Sequence, residues 1–328
     1  MEHIHIHQMY CHYFFKKNNM IKYSYIIPHK NSLELLLRCI DSIEDKEHSQ
    51  IIVVDDNSNN QSILVEALKA FPTVELILLK SNQGAGAARN VGLTRAKAKW
   101  ILFADADDFF NVGYLKAIEK YYASQTEIVF FDTDCRFSDT LELTENRFPD
   151  WSTIIKSKDV EKSKWAIPVV WGKMYLKDFI IENSISFDEV FASNDVMFCY
   201  KANLLAKLYV IDDFVLYCST KNPNSLCYCV NENNIACRIQ VLYRTNALLR
   251  SIGMNKYQYN IFSLILLYYK IGLKIFLSES IKYLRDTSIN NLYWDLLHTM
   301  AKIYSKLYKI RRNNKSFKQQ VINTAFFN

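Results

Sequence analysis

The stretch from Trp100 to Asp108, W-I-L-F-A-D-A-D-D, runs through apolar residues and then places three carboxylates within four positions. A short apolar run ending in a polar turn reads as a buried strand, and open α/β sheets present ligand-binding residues at the carboxyl ends of such strands. Asp105 and Asp107, at i and i+2, can then aim at one point. Paired hard oxygen ligands suit Mg²⁺ or Mn²⁺ carrying a diphosphate, whereas an Asp-rich turn without a metal would simply cap the next helix. Both readings stand at this point. A second acidic end follows Ile51 to Val54, where Asp55-Asp56-Asn57-Ser58 closes another apolar run.

These acids need strands to carry them. Tyr23 to Ile27 is β-rich and stops at Pro28, after which Leu33, Leu36, Leu37, Ile40 and Ile43 recur at helical spacing. A helix holding Leu64, Ala67 and Leu68 follows the Asp55 turn, Val74 to Leu79 is a third strand, and a helix from about Ala87 to Ala98 leads into the Trp100 strand. Glu127 to Asp132 is a further strand, after a helix with Leu115, Ile118 and Tyr122. Repeated βα units predict a mainly parallel sheet with helices on both faces. Beyond Asp132 the pattern changes. Cys135 to Trp151 is polar and irregular, Trp165 to Tyr175 is aromatic-rich, and from Asn231 the pattern is almost wholly helical, with no glycine after Gly272.

Composition bounds the rest. With 328 residues, half of them hydrophobic, the chain can bury a large core in one long domain or two. A formal charge of +6 is mild and implies no nucleic-acid partner, but from Leu296 onward there are seven Lys or Arg and no Asp or Glu. Eight cysteines without C-x-x-C pairs fit a reducing, cytoplasmic setting. Residues 1–19, with His3, His5, His7 and His12, read as a disordered extension, and Met20 offers an alternative start. The apolar run from Ile261 to Leu277 is interrupted by Lys270 and Lys274, which argues against a membrane span.

Two familiar motifs fit only in part. Gly84-Ala85-Gly86 after a strand suggests a dinucleotide-binding turn of a dehydrogenase, but Arg89 stands where the third glycine belongs. An apolar strand ending in D-x-D suggests an aspartate-nucleophile phosphatase, but Phe109 stands where Thr or Val is usual and Asp55-Asp56 would have no role.

Four blocks taken together are more specific: Y-S-Y-I-I-P-H-K-N (Tyr23 to Asn31), I-I-V-V-D-D-N-S (Ile51 to Ser58), N-Q-G-A-G-A-A-R-N-V-G-L (Asn82 to Leu93) and I-L-F-A-D-A-D-D (Ile101 to Asp108). Their order and spacing resemble the bacterial family 2 glycosyltransferases of the GT-A fold. The resemblance is close from Lys22 to about Asp132 and looser through V-V-W-G-K-M-Y, I-S-F-D-E, S-N-D-V-M-F and Y-C-S-T-K-N-P-N-S-L (Val169 to Leu226). It implies a Rossmann-like GT-A domain over 20–230, with a nucleotide-sugar half at 20–132 and an acceptor half at 133–230. A helical region at 231–328 would follow.

The same resemblance implies roles. Asp56 would accept a hydrogen bond from the uracil of a UDP-sugar, with Pro28 and His29 flanking the base and Asp55 structural or near the ribose. Gly84 and Gly86 would let the chain approach the donor, and Arg89 would contact a phosphate or brace the D-x-D carboxylates. Asp105 and Asp107 would hold Mg²⁺ or Mn²⁺. Trp171 would stack on an acceptor sugar or sit in the core, and Lys173 would contact phosphate or acceptor. Asp195 would be the base of an inverting transfer, although Asn194 stands where the family carries a Glu; the alternative is a helix cap. The implied product is a lipooligosaccharide or capsular glycan, built on an oligosaccharide or glycolipid acceptor. A non-catalytic glycan-binding relative is the other outcome. Lys302, Lys306 and Lys309, opposite Met300, Tyr304 and Leu307 on a helix, further suggest attachment to the anionic inner face of the plasma membrane, or else a solvated face of a packed helix.

Overall fold

The computed structural model describes residues 21–146, 148, 150–222 and 231–286, with isolated positions out to 304. The expected extension at 1–19 and the basic residues Lys302, Lys306 and Lys309 lie outside the described residues. Two compact units emerge, one from residues up to 190 together with 194–222, the other from 191–193 and the chain after 222.

In the first unit, strands β1 (Tyr23–His29), β2 (Ser49–Asp55), β3 (Val74–Leu78) and β4 (Trp100–Phe103) run parallel in the order β3-β2-β1-β4. Every residue of β1 and β2 is buried, which is why these strands read as nearly unbroken apolar runs. Helices α1 (Leu33–Asp41), α2 (Gln61–Leu68) and α3 (Gly84–Arg95) make the crossovers. Pro28 is tolerated inside β1 because it lies two residues past the last β1–β4 pair, Ile26 with Phe103. Helix α3 packs closely on β1: a Cβ on Gly92 would lie 2.4 Å from Ile26 Cγ2.

The chain moves outward from β1 to β3 and then returns to place β4 on the opposite side of β1. A reversal of this kind opens a crevice beyond the carboxyl ends of the two central strands, where ligands collect in open α/β sheets. Pro28 and His29 close β1, and Asp105 follows β4.

Past β4 the sheet becomes mixed. Strand β7 (Lys173–Leu176) inserts antiparallel between β4 and β6 (Ile128–Phe137), β8 (Tyr209–Lys221) lies parallel to β6, and the short β5 (Phe109–Phe110) pairs antiparallel with β8. The β6–β8 register shifts around Asp132. Short helices α4 (Tyr114–Glu119), α5 (Trp151–Lys156), α6 (Val160–Ala166), α7 (Lys177–Glu182) and α8 (Val196–Leu205) cover this half. Cys39, Cys135, Cys199 and Cys218 are buried free thiols, used here as small core residues.

The second unit is helical where it is described. Helix α9 (Glu232–Ser251) starts at Asn231, whose side chain accepts from the Asn234 N–H. It packs with α10 (Phe262–Ile265) and α11 (Leu273–Asp286) around Ile235, Ile239, Ile261, Ile265, Tyr268 and Tyr283. Among the described residues no helix is long and apolar enough to cross a membrane.

Candidate functional site

The crevice between β1 and β4 gathers most of the expected residues, and the two acidic strand ends are built differently. At β2, Asp55 is fully buried and saturated by the protein. Its Oδ1 meets His29 Nδ1 at 2.8 Å and accepts from Ser58 Oγ at 2.5 Å, while Oδ2 accepts from the Ser58 N–H and Gln61 Nε2, each at 2.9 Å. Burial alone would raise its carboxyl pKa, but the donations from Ser58, Gln61 and His29 outweigh it and hold the group below the usual range. His29 Nε2 accepts from the Ser32 N–H at 3.2 Å, so its proton belongs on Nδ1, pointing at Asp55. Burial lowers the His29 pKa, against the pull of Asp55.

Asp56 caps α3. Its two oxygens accept from the backbone N–H groups of Gln83, at 2.6 Å, and Gly84, at 2.9 Å. Gly84 takes φ +88°, a region other residues avoid. The positive end of α3 is thus already met by a carboxylate, which removes the helix-bound pyrophosphate that a dinucleotide turn requires. Gly86 differs from expectation as well. A Cβ there would lie 2.0 Å from the Asp188 carbonyl oxygen and 2.9 Å from Asn194 Cβ, so this glycine admits a loop of the protein itself.

At β4, Asp105, Asp107 and Asp108 present carboxylate oxygens within 4.8 Å of one another. Asp105 and Asp107 are partly exposed, while Asp108 is buried, with Oδ2 accepting from Tyr217 Oη at 2.8 Å and Oδ1 from the Thr220 N–H at 2.6 Å. Burial, and then the neighbouring Asp107 and Asp105, push the Asp108 pKa well above the usual range. Asp108 therefore does more than cap a turn. It ties the acidic loop to β8, and the tie is doubled by Tyr217 Oη accepting from the Asp105 N–H and by Thr220 Oγ1 donating to the Asp107 carbonyl. Arg38 donates to that same carbonyl. An all-oxygen carboxylate set with two partly exposed members fits a hard divalent cation, with Asp105 and Asp107 as its holders.

Arg89 reaches this group from α3. It is buried, pairs with Asp105 Oδ1, donates to Asn194 Oδ1 at 2.6 Å and lies 5.4 Å from the centre of the Phe187 ring. Of the roles expected for it, bracing the acids is the one the geometry contains. Its neighbour Asn90 clamps the Phe187 backbone from both sides, donating to the carbonyl at 3.1 Å and accepting from the N–H at 2.8 Å. Asn194 thus connects the Arg89–Asp105 pair to Asp195, the next residue. Asp195 is partly exposed at the start of α8, with no cap hydrogen bond from its side chain.

Two acceptor contacts expected from the sequence are corrected. Trp171 is buried, stacked between Trp151 at 5.1 Å and Tyr217 at 5.3 Å between ring centres, so both its faces are occupied by protein. Lys173 is buried too, with Nζ donating to the carbonyls of Ile167 and Val169 at 2.8 and 2.6 Å, and burial lowers its pKa. The residues missed were Tyr217, Thr220, Asn194 and Arg38 as supports of the acids, and Asn90 as the clamp on Phe187. Tyr217 and Thr220 stood in the Y-C-S-T block, but nothing local tied that block to residues more than a hundred positions earlier.

Residues 24–182 match the family model described as glycosyl transferase family 2. The chain is similar to the poly(ribitol-phosphate) beta-glucosyltransferase of Bacillus spizizenii, 30% identical over 227 residues, covering 65% of this chain and 35% of the relative. It is also similar to the poly(ribitol-phosphate) beta-N-acetylglucosaminyltransferase TarS of Staphylococcus aureus, 27% identical over 217 residues, covering 62% and 36%. The chain thus spans little more than a third of the length of these two curated relatives. Among solved structures, the fold is shared with TarS residues 1–349 from S. aureus in complex with UDP-GlcNAc (TM-score 0.55, 18% identity, 93% of this chain and 89% of that one). It is shared too with the mannosyltransferase PcManGT of Pyrobaculum calidifontis in complex with GDP-Man and Mn²⁺ (TM-score 0.55, 16% identity, 94% and 87%). These are GT-A glycosyltransferases.

Proposed function

We propose that the protein is an inverting, metal-dependent glycosyltransferase that moves a hexose or N-acetylhexosamine from a UDP-sugar to a hydroxyl of a cell-surface glycan. The observation that carries this reading is the convergence of Asp105, Asp107 and Asp108 beyond β4, at the switch point of the sheet, with Arg89 braced against Asp105. Asp105 and Asp107 would hold Mg²⁺ or Mn²⁺, which when bound neutralises charge on the departing diphosphate. Asp56 keeps lone pairs beyond those used by α3 and accepts the uracil N–H. Pro28 and His29 flank the base, while Asp55 acts through His29 by fixing its ring.

Asp195 is the base that takes the acceptor proton as the hydroxyl oxygen attacks the anomeric carbon, giving a β-linkage from an α-linked donor. The acceptor belongs to lipooligosaccharide or capsule. The printed names of two relatives add poly(ribitol phosphate) as an acceptor to test beside these. The GT-A part spans 20–230 and works at the inner face of the plasma membrane.

The test is a panel of nucleotide sugars with purified protein, read as sugar release with and without EDTA. Release from a UDP-sugar that is lost in EDTA and restored by Mn²⁺ supports the reading, and undiminished release in EDTA overturns it. In the same assay, Asp195→Asn should lower kcat roughly a hundredfold or more with KM for the donor nearly unchanged. Near wild-type transfer by that variant moves the base to Asp188 or Glu189.

A further inference from the structure

The second unit buries one apolar face and exposes another. On α11, Ile275, Phe276 and Tyr283 pack into the core of the unit, yet Leu273, Leu277, Ile281 and Leu284 are 58, 50, 67 and 51% exposed. At about 100° per residue these four fall within a stripe roughly 80° wide. The described positions beyond α11 add to both sets. Asn260 Nδ2 donates to Thr299 Oγ1 at 2.8 Å and Leu292 packs on the core, while Ile289, Tyr293, Leu296, Met300 and Tyr304 are exposed, Ile289 at 84%. Scattered apolar residues on a surface need no explanation, but a row along one helix does.

Charge selects the occupant. Lys274 and Arg285 are exposed and border the α11 stripe on one side, whereas Glu279 falls on the opposite side by the same count. Lys270 is exposed just before the helix, and the sequence from Leu296 onward holds seven Lys or Arg and no acid. A second copy laid on this face would set cations against cations. A nucleic acid would have no use for the leucines. Apolar residues with cations beside them and tyrosines among them match the interface of an anionic bilayer, where the apolar row enters the acyl boundary and the cations meet lipid phosphates. We propose that the face formed by Leu273, Leu277, Ile281 and Leu284, with Lys274 and Arg285 at its border, docks the protein on an anionic membrane surface. This deepens the membrane setting of the function proposed above and rests on it for its purpose, though not for its test.

The test uses the full chain and two vesicle types, phosphatidylcholine alone and phosphatidylcholine with phosphatidylglycerol. Co-sedimentation should favour the anionic vesicles and weaken with added salt. The pair Leu277→Glu with Ile281→Glu, and separately the pair Lys274→Glu with Arg285→Glu, should each lower partition on the order of tenfold or more. All four positions are exposed, so thermal melting and UDP-sugar hydrolysis should stay at wild-type levels; a variant that melts early is replaced by the matching Ser pair. Equal binding to both vesicle types, or unchanged binding by both pairs, overturns the proposal. So does a concentration-dependent dimer in sedimentation velocity that the Leu277→Glu, Ile281→Glu pair abolishes without any vesicle binding by the wild type. Loss of hydrolysis on every donor with vesicle binding intact would instead remove the transferase reading and leave the docking face standing.

Discussion

Strands β2 and β4 both run buried into a group of carboxylates, and the two ends are built differently. At β2 the acids hold the fold together: Asp55 is used up by Ser58, Gln61 and His29, and Asp56 receives the N–H groups of Gln83 and Gly84, one on each oxygen. At β4 one acid, Asp108, is sealed by Tyr217 and Thr220, and Asp105 and Asp107 remain partly exposed, with Arg89 on one side of Asp105. Acidic strand ends are therefore not equivalent marks of ligand binding. What separates them is exposure: Asp55 and Asp56 are buried, Asp105 and Asp107 only partly so.

The largest expected effect breaks the comparison at β4. Asp107→Asn keeps shape but removes a charge facing the cleft, so turnover should fall by about a hundredfold or more while the melting temperature barely moves. Steady-state kinetics and calorimetry on the one sample check both halves. The reverse pattern is expected at β2. Asp55→Ala strips partners from His29, Ser58 and Gln61 inside the core and should cost about 3 kcal/mol in urea denaturation, with divalent-metal affinity nearly unchanged. If Asp55→Ala instead leaves stability intact, the internal use of that end is wrong.

The smallest effect concerns pH. The folded state lowers the His29 pKa below its ordinary 6.5, so on acidification through about 6.5 the unfolded chain takes up a proton that the folded chain refuses. Stability should fall with pH in the window below 6.5, by an amount set by how far the folded value is depressed. The His29→Asn variant should show a flatter stability profile across that window, measured as urea midpoints.

The four parallel strands were legible because strands buried on both faces read as apolar runs, and the acids announced themselves by following those runs. Their fates were not legible. The donors that fix Asp56 come from Gln83 and Gly84, and those that seal Asp108 come from Tyr217 and Thr220, far along the chain in each case. Lys173 misled for a different reason. A lysine beside a tryptophan reads as a surface contact, yet its ammonium is held inside by two carbonyls that no local pattern identifies. The antiparallel β7 was also invisible, since K-M-Y-L offers four residues and no alternation on which to base an orientation.

That short strand has a consequence for synthesis. Phe103 emerges from the ribosome roughly 70 residues before Lys173, and until then the open side of Trp100–Phe103 has no partner for its backbone groups. The nascent donor-binding half thus carries a bare, hydrophobic sheet edge through a long interval of translation. A chain stopped before residue 173 should accumulate in inclusion bodies or on chaperones, even though every residue of its acidic crevice from His29 to Asp108 has already been made.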